Sequence, residues 1–451
     1  MRAFLAFALA ASLNVHGADW PRFLGPAGDA TSPETNLIAR LPTNGPAVVW
    51  EREVGTGYSA PSVLGGQLVL HHRRGEEEIA ESFDAATGRP GWRWAAPTAF
   101  VDPYGYNNGP RCTPLLTSNR VFTFGAEGRL ACLDRATGRL IWQRGTAKEF
   151  EIPEAFFGVG STPLLEDGRL IVMLGGQPNS GVAAFDPESG KTLWQSVGAA
   201  NWEGQPMLGW PGEAPVRWQR WEKQASYASP VAATFHGRRH VLCLLRQGLV
   251  SVDPATGAVN FSFWFRARVN ESVNAANPVV QGEFILLSAA YYRIGSVLLR
   301  VRPDGRGVDE VWRGTSLEAH WATPILHAGT LYAFSGRNEP DASLRAVDFT
   351  TGRLLWERAE RWAPRSSPQP PVFGRGSLIL ADGRLIALGE GGLLGLFEPS
   401  REKAVELGRW QVPTLRYACW AGPVLADGRL YLRSEDRLVC LELAASRGDG
   451  R

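Results

Sequence analysis

Short apolar runs separated by turn-forming residues dominate this chain, and no stretch sustains the 3.6-residue apolar period of an amphipathic helix. A typical interior passage reads Thr162-Pro163-Leu164-Leu165, then Asp167-Gly168, then Arg169-Leu170-Ile171-Val172. The same Asp-Gly turn signal returns at Asp382-Gly383 and Asp427-Gly428. Such text predicts short strands joined by tight turns, and an all-β chain.

Two repeats organise those strands. The first is Asp-x-x-Thr/Ser-Gly-x-x-x-Trp, present at Asp84/Gly88/Trp92, Asp134/Gly138/Trp142, Asp186/Gly190/Trp194 and Asp348/Gly352/Trp356. Asp253/Gly257 leads instead to Phe261 with Trp264 further on, Asp304 leads to Trp312 without the Thr-Gly, and a degenerate copy ends at Trp410. An Asp that accepts backbone N–H bonds and a Gly at positive φ make a hairpin turn. The Trp then falls on the outgoing strand, where its indole covers the flank of the next unit.

The second repeat is a proline opening an apolar strand, at Pro61, Pro114, Pro163, Pro230, Pro278, Pro324, Pro371 and Pro423, with spacings of 53, 49, 67, 48, 46, 47 and 52 residues. Periods of this size mean stacked supersecondary units of about four strands each. The unit from Trp420 to Leu443 is one strand short, whereas Val48-Val49-Trp50-Glu51-Arg52-Glu53-Val54 is a Trp-bearing strand with no unit before it. The expected fold is therefore an eight-bladed β-propeller of four-stranded antiparallel blades, closed by the N-terminal strand around Trp50, which leaves no open edge.

At the N-terminus, Arg2, an apolar run from Ala3 to Leu13 and small residues near Gly17 and Ala18 have the layout of a secretory signal peptide. The run is too short to span a bilayer. The expected organisation is a leader over 1–17, an extended segment over 18–46, the propeller over 47–443 and a disordered tail over 444–451. No later apolar run is long enough for a membrane helix, so the expectation is a periplasmic or secreted, monomeric protein. Lys and Arg total 47 against 45 Asp and Glu, a net charge of +2 that offers no field for nucleic acid. The five cysteines, Cys112, Cys132, Cys243, Cys419 and Cys440, include no CxxC or adjacent pair and mostly sit in apolar strand patterns. They read as buried structural thiols.

The Asp-x-x-Thr-Gly-x-x-x-Trp phrase resembles the tryptophan-docking repeat of the pyrroloquinoline-quinone-type propellers. The opening Asp19-Trp20-Pro21-Arg22-Phe23-Leu24-Gly25-Pro26, with Ser32-Pro33-Glu34-Thr35 and Gly57-Tyr58-Ser59-Ala60-Pro61, is similar to a bacterial exported branch of that group. The resemblance implies the propeller fold. It covers both quinone-dependent alcohol dehydrogenases and non-catalytic propellers, including a lipoprotein that assists outer-membrane protein assembly, so it leaves activity open. The dehydrogenases carry a vicinal cysteine pair, a calcium-bound quinone and a catalytic Asp; this sequence has no adjacent cysteines and no run of hard oxygen ligands for calcium.

The innermost strands of a propeller surround an axial channel, so candidate ligand-binding residues are those preceding the repeat prolines: Tyr58, Arg111, Tyr227, Asn274, His320, Trp321 and Trp420. Arg111 suits a carboxylate, Trp321 and Trp420 suit stacking on a planar ligand, and His320 suits acid or base work; equally, all of them suit a hydrogen-bonded channel plug. The long spacing after Pro163 reflects a Trp-rich insertion over 198–227, where Trp202, Trp210, Arg217, Trp218 and Trp221 interleave aromatic and basic groups as sugar-binding or protein-binding loops do. They equally suit a roof over the channel. His236 and His240 flank a hairpin turn, Glu76-Glu77-Glu78 reads as a solvated hairpin tip, Gly389-x-Gly391 lacks a strand-to-helix context, and there is no Gly-x-Ser-x-Gly elbow. The expectation is a non-catalytic binding platform for a protein, small molecule or glycan, with no metal and no cofactor. The alternatives are an oxidoreductase using pyrroloquinoline quinone with calcium, and a carbohydrate-binding propeller.

Overall fold

The computed structural model describes residues 17–152, 157–176, 179–197, 225–267, 272–338, 341–363, 366–368 and 370–445. Eight sheets form a ring, and seven of them are built from consecutive antiparallel strands over 62–97, 115–145, 164–196, 231–264, 279–314, 325–359 and 377–411. The eighth combines three strands over 424–442 with the N-terminal strand Val48–Glu53, in which Trp50 lies opposite Cys440. Blade count and ring closure are those the repeats predict.

The turn phrase works as its chemistry requires. Thr87 donates both its backbone N–H (2.8 Å) and its hydroxyl (2.7 Å) to the Asp84 carboxylate, and the same pair of bonds recurs at Asp134, Asp186, Asp253 and Asp348. Gly88, Gly138, Gly190, Gly257 and Gly352 all have φ near +70°. Each glycine is also where the preceding blade's aromatic lands: a Cβ on Gly190 would come within 2.7 Å of the Trp142 ring. The indoles of Trp50, Trp92, Trp142, Trp194, Trp312 and Trp356 donate at 2.8–3.0 Å to carbonyls of the next blade's turn. Ring closure rebuilds the device from two distant segments, since Trp410 of the seventh blade packs on Gly45 while Trp50 packs on Gly88. The fourth-to-fifth junction differs. Phe261 stands at the docking position, and His236 Nε2 lies 3.1 Å from the Val301 carbonyl oxygen.

Two details depart from the sequence reading. Pro371 does not open a strand: the seventh blade's inner strand is Ser377–Ala381, preceded by Gly376. The segment before Val48 is not merely extended. Trp20 exchanges backbone hydrogen bonds with Val63 of the first blade, Pro21 accepts from Leu116 of the second, and Thr31–Ser32 adds a parallel strand to the seventh. Ala444 and Ala445 are held as well, by a bridge to Leu37 and a 2.8 Å bond to the Asn36 carbonyl. The five cysteines are free and buried.

Candidate functional site

A cavity of about 200 Å3 opens on one face of the ring. The residues three positions before the repeat prolines line it: Tyr58, Arg111, Gly160, Tyr227, Ala275, Trp321 and Trp420. The register follows from blade geometry, because the chain enters each inner strand from the same face and presents the same position to the axis. Of the sequence candidates, Tyr58, Arg111, Tyr227, His320, Trp321 and Trp420 share this cavity. Asn274 does not. Its amide donates to the Leu245 and Phe265 carbonyls at 2.9 and 3.1 Å, and its neighbours Val273 and Ala275 line the cavity instead. Trp202, Trp210, Arg217, Trp218 and Trp221 lie outside the described residues, as does nearly all of the leader.

The wall is a train of aromatic contacts. Tyr291 lies 5.1 Å from His320, His320 4.9 Å from Trp321, Trp321 5.2 Å from Trp420, and Trp420 4.8 Å from Tyr58, measured between ring centroids. On the other side Tyr106 bridges Trp420 (5.5 Å) to Phe157 (5.6 Å), and Phe157 meets Tyr227 at 5.4 Å. Phe23, from the N-terminal segment, reaches the same cavity and also lines the spaces beside the inner strands, so it closes the inner end.

Both cavity arginines are already held. Arg111 Nη2 bonds Asp102 at 2.6 Å, and its guanidinium sits 5.6 Å from the Tyr58 ring centroid. Arg375 bonds Glu390 at 2.8 Å and lies 5.1 and 5.4 Å from the Trp321 and Trp420 rings. The carboxylates are fully used: Asp102 also accepts the Tyr104 and Tyr106 backbone N–H groups, and Glu390 accepts the Trp420 indole at 3.1 Å. Tyr58 donates to Glu435 at 3.1 Å, and the Tyr227 hydroxyl accepts the Phe157 N–H at 2.8 Å.

Burial sets the titration behaviour. It raises Tyr58 and Tyr227 well above the ordinary phenol value and pushes Tyr291 up to about 12. Burial, reinforced by Arg375 and Arg337, pushes His320 down to about 3, so its imidazole is neutral at physiological pH. Among the described residues its Nδ1 and the Trp321 Nε1, both buried, have no hydrogen-bond partner.

Sequence reasoning missed Phe23, Tyr106, Phe157, Tyr291 and Arg375, and the carboxylates Asp102 and Glu390. Counting back three residues from each proline would have replaced Asn274 by Ala275 and added Gly160. His236 and His240 sit at the fourth-to-fifth junction, where His240 Nδ1 is 2.8 Å from Ser251 Oγ. Among the described residues no three His, Cys, Asp or Glu side chains are grouped to hold a metal ion, and no helix is long and apolar enough to cross a membrane.

Docked tryptophans, Asp-Thr-Gly turns and eight four-stranded blades define a propeller of the pyrroloquinoline-quinone-like class. The chain belongs to the family described as outer membrane protein assembly factor BamB, whose profile matches residues 75–340, more than half of its length. Among solved structures, BamB from Moraxella catarrhalis matches at 16% identity and a TM-score of 0.54, covering 89% of this chain and 98% of that one. The quinohemoprotein alcohol dehydrogenase from Comamonas testosteroni matches at 14% identity and a TM-score of 0.63, covering 95% and 81%. At these identities the likeness is one of fold. The dehydrogenase subunit of a quinone alcohol dehydrogenase from Komagataeibacter europaeus is 31% identical over 139 residues, which is 28% of this chain and only 18% of that relative.

Proposed function

We propose that this chain is an exported, non-catalytic binding propeller whose aromatic funnel is the recognition site. The observation that carries the reading is the pairing of both funnel arginines with Asp102 and Glu390. What remains for a ligand is a wall of rings, which gives contact area and orientation.

The residues do not fit a calcium-held quinone. Calcium needs six or more oxygen ligands, whereas Asp102 and Glu390 are spent on arginine and on N–H donors and Glu435 accepts from the Tyr58 hydroxyl and the Asn107 amide. The cysteines are five separate buried thiols, and burial raises the pKa of each one. Export is supported by the charged, apolar and small-residue pattern of the first residues.

Titrating the purified chain with pyrroloquinoline quinone and calcium, while following tryptophan fluorescence and dye-linked alcohol oxidation, tests the reading. The expected result is no quinone-dependent oxidation at any calcium concentration. Turnover that requires both additions would overturn it in favour of the dehydrogenase alternative.

A further inference from the structure

We propose that the funnel mouth receives an extended, acidic stretch of a partner polypeptide and takes one of its aromatic side chains into the cavity. This deepens the binding reading above and rests on it. Three observations point the same way.

The first is where apolar surface is left uncovered. Val101, Tyr104, Tyr106 and Tyr417 are 69%, 53%, 46% and 57% exposed. Tyr104 and Tyr106 contact Phe157, Tyr417 contacts Trp420, and Val101 belongs to the same loop as the first two, so this surface surrounds the cavity entrance. The other well-exposed large apolar residues among those described, such as Leu193, Val259, Val311 and Leu354, lie on the outermost strands. Exposed aromatics clustered at a concave site mark an interaction surface.

The second is charge. Arg337 lies 4.6 Å from both the Tyr291 and Tyr292 ring centroids and holds no ion pair among the described residues; nor does Arg416, beside Tyr417. Arg375 links the two, donating to the Arg337 carbonyl at 3.3 Å and to the Tyr417 hydroxyl at 3.2 Å. This arc of the rim is basic although the chain as a whole is nearly neutral, and a basic arc selects acidic partners and speeds their approach.

The third is size and polarity. An apolar cavity of roughly 150 Å3 takes one benzene, so about 200 Å3 suits a single phenol or indole side chain. A sugar fits less well, because Asp102 and Glu390 are occupied and its hydroxyl donors would go unmatched.

The test uses the purified full chain and fluorescein-labelled peptides: an Asp-, Ser- and Gly-based peptide with one central Trp, the same peptide with Trp replaced by Ser, and a Lys-based peptide with the Trp retained. The acidic Trp peptide should bind at least about tenfold tighter than either control, a margin typical of one buried aromatic anchor. Its affinity should fall as salt rises. Arg337→Glu and Arg416→Glu should each weaken it several-fold with an unchanged melting temperature. Because Arg337 also packs on tyrosines, Arg416→Glu is the cleaner variant. Equal binding of all three peptides, no binding, or indifference to Arg416→Glu would overturn the inference. A glycan that competes for the funnel while the peptide fails would reassign the ligand class. The failure of the peptide leaves the binding reading standing, since only quinone-dependent turnover defeats that.

Discussion

Tryptophan does two different jobs in this ring. In the outer belt the indoles of Trp50, Trp92, Trp142, Trp194 and Trp312 each have a hydrogen-bond acceptor on the next blade, as Trp142 has in the Pro187 carbonyl at 2.9 Å, and a glycine that makes room for the ring. At the mouth the rings of Trp321 and Trp420 pack on each other, on Tyr58 and under Arg375, and the buried Trp321 N–H has no partner among the described residues. The belt therefore holds blades together, while the mouth retains the imperfectly satisfied surface that binding sites keep.

The contrast can be broken most directly by truncation. Trp142→Ala removes a blade-to-blade anchor and should cost about 3 kcal/mol, the lower end for an aromatic site because the indole is only partly buried. Urea melts of this variant beside Trp420→Ala should show the larger loss at position 142; the reverse order would mean that the mouth aromatics are the true core. Gly190→Ala probes the other half of the dock. The left-handed backbone costs a residue with a Cβ about 1–2 kcal/mol, and that Cβ would lie 2.7 Å from the Trp142 ring, so a loss of about 2 kcal/mol is expected in the same melts.

A finer comparison deletes only the N–H. Trp142→Phe gives up a hydrogen bond and should cost about 1 kcal/mol beyond the lost ring area. Trp321→Phe gives up a donor that has no partner among the described residues, so any such penalty should be absent. Similar losses from the two changes in parallel thermal melts would erase the distinction between belt and mouth.

Acid separates the two regions gently. His320 and His71 are both pushed down to about 3 by burial, so the unfolded chain binds protons first. Stability should fall as pH drops from about 6.5 toward these folded values. The turn carboxylates of Asp84, Asp134, Asp186 and Asp348 are instead held below their ordinary value, by hydrogen bonds from Thr or Ser in the first three and from Arg401 first in the last. Their contribution is present above about pH 4 and is lost only as pH falls through the depressed values. His320→Gln should reduce the fall in melting temperature between about pH 6.5 and pH 3, with His71 accounting for the slope that remains.

What could be read from sequence follows the same division. The belt repeats a chemical phrase, so eight blades, the Trp dock and the closing strand around Trp50 were legible without coordinates. The mouth repeats only a position. Ala275 rather than Asn274 occupies it in the fifth blade, and in the seventh no proline marks the strand start, so Arg375 had no signal. Asp102 reaches the site from an irregular loop and Glu390 from the turn between the strands Arg384–Leu388 and Leu393–Glu398, and neither position carries a repeated phrase. Phe23 was hidden for another reason. Its segment carries no repeat at all, yet it crosses the inner strands and forms the cavity's far wall.

The strand from Val48 to Glu53 finds its partner only when Arg437–Glu442 is available, at the other end of the chain. As the chain emerges from synthesis, the first blades must wait with their last neighbour missing, and Trp50 can dock on Gly88 long before its own strand is paired. Contacts so far apart in sequence are slow to form, so the seam should be the last part of the ring to become protected in pulsed hydrogen exchange. It should also be the first to open, which makes this one blade a latch whose lifetime governs how long the whole wheel survives mechanical or proteolytic stress.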